Sequence, residues 1–210
     1  MIVMEMPQGG EDWLRARRGV VTASNFHLVL ARGSGKTRRA YMERLAWEIV
    51  SGAPGEGAFM SEAMARGKAL EPRAREAYRA ASGLDVREVG LVFLDEGRRI
   101  AASPDGLIGD DGGLEIKCPL PHRHEACVAR GCVPPRHRAQ IQGNMWVSGR
   151  RWWDFVSFAP EADEPLFIRR VHRDEAYVDM LRREVARFLQ ELDGLVEQLA
   201  AARGRRRSRG

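Results

Sequence analysis

Cysteine is scarce in this chain of 210 residues: Cys118, Cys127 and Cys132 are all there is. An odd count excludes a fully paired disulfide framework and predicts reduced thiols. No run of about 18 apolar residues exists to cross a bilayer. The opening MIVMEMPQGGED has an acidic flank and no cleavable apolar segment, so a soluble, cytoplasmic protein is expected. Metal-site spacing is missing as well. His122, His124 and His137 lie near the cysteines, but neither CxxC nor HxxxH occurs among them, which disfavours zinc. An iron–sulfur cluster would ask for four cysteines. GSGK at 33–36 lacks both the GxxxxGK[ST] frame and a preceding strand, so a flexible basic loop is expected there and not a nucleotide phosphate loop.

Acids are absent from one long stretch. Between Trp13 and Met42 stand Arg15, Arg17, Arg18, Arg32, Lys36, Arg38 and Arg39 with no Asp or Glu, and between Leu120 and Arg151 six arginines face Glu125 alone. The formal net charge of +5 is accounted for by the tail residues Arg203, Arg205, Arg206, Arg207 and Arg209. The body is therefore neutral overall, and only the distribution of its charge is informative. Such segregated blocks suit either a groove for a phosphate backbone or ordinary solvated faces.

What is present is enough for a full core: 44% of residues are hydrophobic, and the length fits one domain. We read that domain over 1–203 and a basic, disordered tail over 204–210. TRRAYMERLAWEIVSG predicts a helix with Thr37 as N-cap, a stripe of Tyr41, Leu45 and Ile49, and Gly52 past its end. GAPGEGAF reads as a linker. SEAMARGKALEPRAREAYRAASG is helical in pattern up to Gly83, with Pro72 forcing a break or a new first turn beside Glu71. VREVGLVFLDE, RRIAAS and GLEIKC suggest a three-stranded meander. PRHRAQIQGNMWVSG has helical spacing through Ile141, Met145 and Trp146, with Gln142 on the helix surface. RWWDFVSFA and PLFIRRVHR are two more strands before a long amphipathic helix. Trp13, Trp47, Trp146, Trp152 and Trp153 suit a core or a subunit interface better than base stacking.

The chemistry lies in SPDGLIGDDGGLEIKCP, residues 103–119. In an extended strand alternate residues share a face, so Glu115 and Lys117 point together while Ile116 points to the core. The Gly-rich connection allows a tight return that brings Asp105 onto Glu115. Two carboxylates beside a lysine suit phosphodiester hydrolysis: the acids hold Mg²⁺, and the ammonium orients water or stabilises phosphate charge. A hairpin with a surface salt bridge is the plainer reading of an isolated D…ExK.

SPDGL…GLEIKCP, with WLRARRGVVTAS upstream and AQIQGNMWV downstream, resembles the lambda exonuclease and YqaJ-type viral recombinase family of the PD-(D/E)xK nuclease superfamily. The resemblance runs from about Trp13 to Pro160. It implies an α/β fold with a restriction-endonuclease-like core, a mixed central β-sheet flanked by helices. It further implies Mg²⁺-dependent 5′→3′ digestion of one strand of linear double-stranded DNA, with Mn²⁺ able to substitute, leaving 3′ overhangs for recombination by strand annealing. A 5′-phosphorylated DNA end, a homotrimeric ring, a single-strand annealing protein as partner and a bacterial or phage-infected cell belong to the same implication. Asp105 and Glu115 would be metal ligands together with the Ile116 carbonyl, Lys117 the catalytic lysine, and Glu71 the helix glutamate near the metal. Arg17, Ser24, Ser103, Arg123 and Gln140 would bind the terminal 5′-phosphate, with Arg15 or Arg18 able to stand in for Arg17. A catalytically silent DNA-end-binding scaffold and a site-specific endonuclease on the same core are the alternatives. The acid pair argues against the first, and the phosphate-pocket residues against the second.

Overall fold

The computed structural model describes residues 1–32, 36–55 and 62–207, with side chains as far as residue 205. The GSGK loop at 33–35, the second half of the GAPGEGAF linker and the last three tail residues lie outside the described residues. The elements in chain order are β1 (Ile2–Met4), α1 (Glu11–Ala16), β2 (Val21–Thr22), α2 (Phe26–Val29), α3 (Lys36–Ser51), α4 (Glu62–Ser82), β3 (Leu91–Phe93), β4 (Ile100–Ala102), β5 (Gly106–Ile108), β6 (Gly112–Lys117), α5 (Pro121–Arg130), α6 (Arg138–Ser148), β7 (Trp152–Phe158), β8 (Leu166–His172) and α7 (Glu175–Arg207).

The strands form two mixed four-stranded sheets, ordered β1-β3-β4-β2 and β5-β6-β7-β8. The expected meander is thus two hairpins in different sheets. Its division falls at Ser103-Pro104-Asp105, because Pro104 has no N–H with which to continue a ladder. Asp105 instead begins the second sheet, donating its N–H to the Leu114 carbonyl at 3.2 Å. Strand β6 runs antiparallel to β5 and parallel to β7. A parallel pair needs a long crossover, and α5 and α6 provide it.

Helix α6 lies against β3 and β4 of one sheet and β7 of the other, which is why Ile141, Gln142, Asn144, Met145, Trp146 and Val147 are all buried. Gln142 is therefore not helix surface. It donates to the His172 carbonyl at 3.0 Å and accepts from the Asp174 N–H at 2.9 Å, tying α6 to the end of β8. On the opposite side of the second sheet, Leu114, Ile116, Val156 and Phe158 pack with Ala74 and Tyr78 of α4. Glycine is required at the start of β6. A Cβ on Gly112 would stand 2.1 Å from the Trp152 indole, and one on Gly113 2.2 Å from that of Trp153.

Three local expectations give way. Thr37 lies inside α3 and does not cap it, and Ile49 faces solvent while Tyr41, Met42, Leu45 and Ala46 are buried. Helix α4 passes through Pro72 without a break. The proline costs the ladder one donor, and the packed turns that follow, with Ala74, Arg75 and Tyr78 buried, offset a penalty of about 3 kcal/mol. Helix α7 runs from Glu175 to Arg207. It seats Val178, Leu181, Val185, Phe188 and Leu192 in the core at three- and four-residue spacing.

Acids from distant parts of the chain neutralise much of the two basic blocks. Arg38 pairs with Glu191 at 2.6 Å and Arg138 with Asp174 at 2.8 Å, while Arg39 takes Glu43 at 2.8 Å. Arg15 pairs with Asp12, and Arg151 with Asp111. No helix among the described residues is long and apolar enough to cross a membrane.

Candidate active site

The carboxylates meet where β5 leaves the Ser103-Pro104-Asp105 turn. That turn is pinned from outside by Gln8, whose side-chain amide donates to the Pro104 carbonyl at 2.8 Å and the Val89 carbonyl at 3.0 Å. Arg75 of α4 donates from Nε to the Asp105 carbonyl at 3.2 Å. Asp105 then turns its side chain toward β6, where Oδ2 accepts the Ile116 N–H at 2.6 Å.

Glu115 is 1% exposed and has donors on both oxygens. Oε1 accepts from Lys117 Nζ and from Gln140 Nε2 at 2.6 Å, and Oε2 accepts from Asn144 Nδ2 at 3.0 Å. Its alternation with Lys117 follows from the strand, and Ile116 packs into the apolar layer against α4. Glu71 does not reach this pair directly by hydrogen bond. It is held by Arg75, which also pairs with Glu88 at 3.0 Å, yet its charge is felt at Asp105.

The electrostatics follow from burial. Removal from water raises the Asp105 carboxyl well above its ordinary range, the Glu115 charge raises it further, and Lys117 works against both. Burial would lower Lys117, but Glu115 and then Asp105 outweigh it and the ammonium is raised. Lys117 is therefore a charged donor and not a base at neutral pH.

Two carboxylates and a backbone carbonyl are hard oxygen donors, which fits Mg²⁺. The corner sets two carboxylates, Asp105 and Glu115, against the single ammonium of Lys117. Among the described residues no three His, Cys, Asp or Glu side chains gather into a complete cage, so remaining coordination positions would fall to water and substrate oxygens. Cys118 is pushed up to about 11 by burial and by Glu71 and Asp105, and remains a thiol. His124 is sequestered, with Nδ1 2.8 Å from Ser157 Oγ and Nε2 2.7 Å from the Glu164 carbonyl.

A second cluster of opposite character adjoins the first. Arg17 follows the last turn of α1, stacks its guanidinium 4.1 Å above the Trp13 ring and donates to Ser103 Oγ at 2.6 Å. Burial pulls it down to about 10. Strand β2 pairs in parallel with β4, Thr22 opposite Ala101, so Ser24 and Ser103 each lie two residues beyond a paired position at the same end of the sheet. Ser24 Oγ is 3.2 Å from Thr22 Oγ1. Neither neighbouring arginine competes for this place: Arg15 pairs with Asp12 in solvent and Arg18 donates to the Gly52 carbonyl at 2.8 Å.

Of the five expected phosphate contacts, Arg17 and Ser103 touch and Ser24 shares their edge. Gln140 belongs to Glu115. Arg123 makes no side-chain hydrogen bond among the described residues and lines a separate cavity on α5. Two site residues were missed. Asn144 lies four residues after Gln140 on one face of α6, a spacing visible in AQIQGNM. His137 packs its ring 5.4 Å from that of Phe155 and is lowered to about 3, by burial first and then by Lys117 and Arg136. It is neutral, and no sequence signal marks a histidine for that environment.

The YqaJ-like viral recombinase domain matches residues 12–151. Crystal structures of LHK-Exo, an alkaline exonuclease from Laribacter hongkongensis, are similar throughout. One has a TM-score of 0.85 at 37% identity, covering 93% of this chain and 99% of that one. A second, in complex with dAMP, has a TM-score of 0.86 at 36% identity over the same shares. A phage-related exonuclease from Haemophilus somnus 129PT shares the fold at 17% identity and a TM-score of 0.62, covering 86% of this chain and 96% of its own. No curated protein matches. Nucleases of this kind are generally dependent on divalent metals. With the match spanning well over half of its length and the acid pair and lysine assembled on β6 and the turn that leads into β5, the chain belongs to the YqaJ-like viral recombinase family and is a DNA-hydrolysing nuclease.

Proposed function

We propose that this nuclease is a Mg²⁺-dependent 5′→3′ exonuclease that degrades one strand of linear duplex DNA from a 5′-phosphorylated end. The 3′ overhang it leaves is a substrate for strand annealing. The observation that carries this reading is adjacency: Arg17 is bonded to Ser103, two residues before Asp105. An anion-binding corner thus abuts a carboxylate pair. A strand end held by the first lays its next phosphodiester over the second.

Asp105, Glu115 and the Ile116 carbonyl would hold the metal, with Mn²⁺ an acceptable substitute. Held there, the ion would polarise a phosphoryl oxygen and lower the pKa of attacking water. Lys117 supplies a fixed positive charge to the phosphoryl group as its negative charge grows. Gln140 and Asn144 hold the Glu115 carboxylate oriented. Arg17 presents its guanidinium to the terminal phosphate, which carries more negative charge than an internal diester. Each cut makes a new 5′-phosphate that the same corner accepts. A homotrimer closed around the duplex, a single-strand annealing partner and action in the cytoplasm of a bacterial or phage-infected cell complete the proposal.

Digestion of end-labelled linear duplexes with 5′-phosphate or 5′-hydroxyl termini, in Mg²⁺ and in EDTA, tests it. Mononucleotides should leave from the 5′ end, faster from phosphorylated ends, and EDTA should stop the reaction. Release from the 3′ end, or digestion in EDTA, overturns the assignment.

A further inference from the structure

Six arginines lie between Leu120 and Arg151, and they divide into two sets. Arg138 and Arg151 are paired with Asp174 and Asp111. Arg150 donates to the carbonyls of Ile108, Gly109 and Gly112 at 3.1, 2.7 and 2.6 Å. The other three, Arg123, Arg130 and Arg136, line one cavity of about 290 Å³. None of them has a carboxylate partner among the described residues, and no acid lines the cavity. Among the described residues, the one side-chain hydrogen bond of this set runs from Arg136 Nε to His137 Nε2 at 3.0 Å, and His137 is a neutral acceptor.

Helix geometry builds the cavity. Arg123, Cys127 and Arg130 share one face of α5, and Arg123 and Arg130 are separated by about 10 Å along its axis. Gly131 ends the helix in the left-handed conformation at φ 58°. The chain then folds back over that face, with Cys127 Sγ 3.5 Å from the Cys132 carbonyl, and Pro134 and Arg136 close the far side. Three guanidiniums around one concavity repel one another until an anion enters.

We propose that this cavity binds an internal backbone phosphate of the DNA strand, outside the carboxylate and Arg17 clusters. The proposal rests on the chain acting on DNA. Its lining offers forks for phosphate oxygens but no aromatic ring on which a base could stack. It therefore suits sequence-independent contact with the backbone and not capture of a nucleotide. Arg136 of the cavity is bonded to His137, whose ring packs 5.4 Å from that of Phe155, the β7 partner of Glu115, so a strand threading from the carboxylates has a neighbouring phosphate within reach.

Binding of a single-stranded oligonucleotide with 5′-hydroxyl ends, followed by anisotropy in EDTA across a salt series, tests the site. The double variant Arg130→Ala/Arg136→Ala should weaken affinity about tenfold and reduce the salt slope by about 1, with the single-turnover rate at saturating DNA unchanged. Both side chains are exposed, so the fold should survive. Alkylation of wild-type Cys132, the exposed thiol of the cavity, needs no variant and should slow several-fold with the oligonucleotide but not with dAMP or inorganic phosphate. Unchanged affinity and slope, or equal protection by dAMP, overturns the site. A wild-type protein that cleaves from 5′ ends while the double variant binds normally sinks this inference alone. Protection and a reduced slope without cleavage would sink the exonuclease reading and leave the site standing.

Discussion

Asp105 and Arg17 lie on either side of one dipeptide, Ser103-Pro104, and both are charges that the fold has drawn out of water. They respond in opposite directions. Burial raises the Asp105 carboxyl, with a second carboxylate beside it adding to the effect, whereas burial lowers the Arg17 guanidinium to about 10. The carboxylate corner has Lys117 as its counter-charge, and the Arg17 corner has an indole face and a hydroxyl. Each is organised for an ion of the sign it lacks. By charge, one corner suits a cation and the other an anion, and the Ser103-Pro104 peptide separates them.

The largest expected effect separates the corners outright. Asp105→Asn or Glu115→Gln should lower the cleavage rate about 10³-fold or more, while discrimination between 5′-phosphate and 5′-hydroxyl ends in binding assays persists because Arg17 is untouched. Equal loss of end discrimination would mean that the corners are one site. Arg17→Ala should do the converse. A charge-assisted contact of about 1.5–3 kcal/mol corresponds to a preference for phosphorylated ends reduced about 10- to 100-fold. Arg15→Ala and Arg18→Ala should leave it intact, and competition between the two kinds of end measures all three.

A subtler change acts through orientation. Asn144→Ala frees one oxygen of Glu115 and should cost about tenfold in rate, with a higher Mg²⁺ concentration needed for half-maximal activity. An unchanged Mg²⁺ requirement would remove Asn144 from the metal side of the comparison. The smallest effect is on stability. Because the folded pKa of Asp105 is raised above its unfolded value, its contribution is present below the unfolded pKa, about 3.9, and is lost as pH rises through the folded value. In EDTA at neutral pH, Asp105→Asn should therefore melt a few degrees above wild type, and Mg²⁺ should raise the wild-type midpoint but not the variant's. Arg17 has the opposite sign: its depressed pKa means that stability increases only above about pH 10.

Strand alternation made the relation of Glu115 to Lys117 legible, and helical spacing made α6 legible, because both depend on neighbours in sequence. The second partner of each group was not legible. The bond from Gln140 to Glu115 has no local sequence signal, since the register of α6 against β6 is a tertiary fact. The basic blocks looked uncompensated because their acids, Glu191 and Asp174, are remote in sequence. The meander divided at Pro104 because a missing N–H shows where a ladder stops, and not which sheet the chain joins next. Arg17 could be told from Arg15 and Arg18 only once Trp13 and Ser103 had been placed around it.

The contact of Gly112 and Gly113 with the indoles of Trp152 and Trp153 bears on the protein's history as much as on its shape. With ring atoms standing where each Cβ would lie, neither glycine can drift alone, and a smaller residue in place of either indole would leave a void over the strand that carries Glu115. Each glycine and its tryptophan should therefore be inherited as a unit, so that across descendants of this sequence the two change together or not at all.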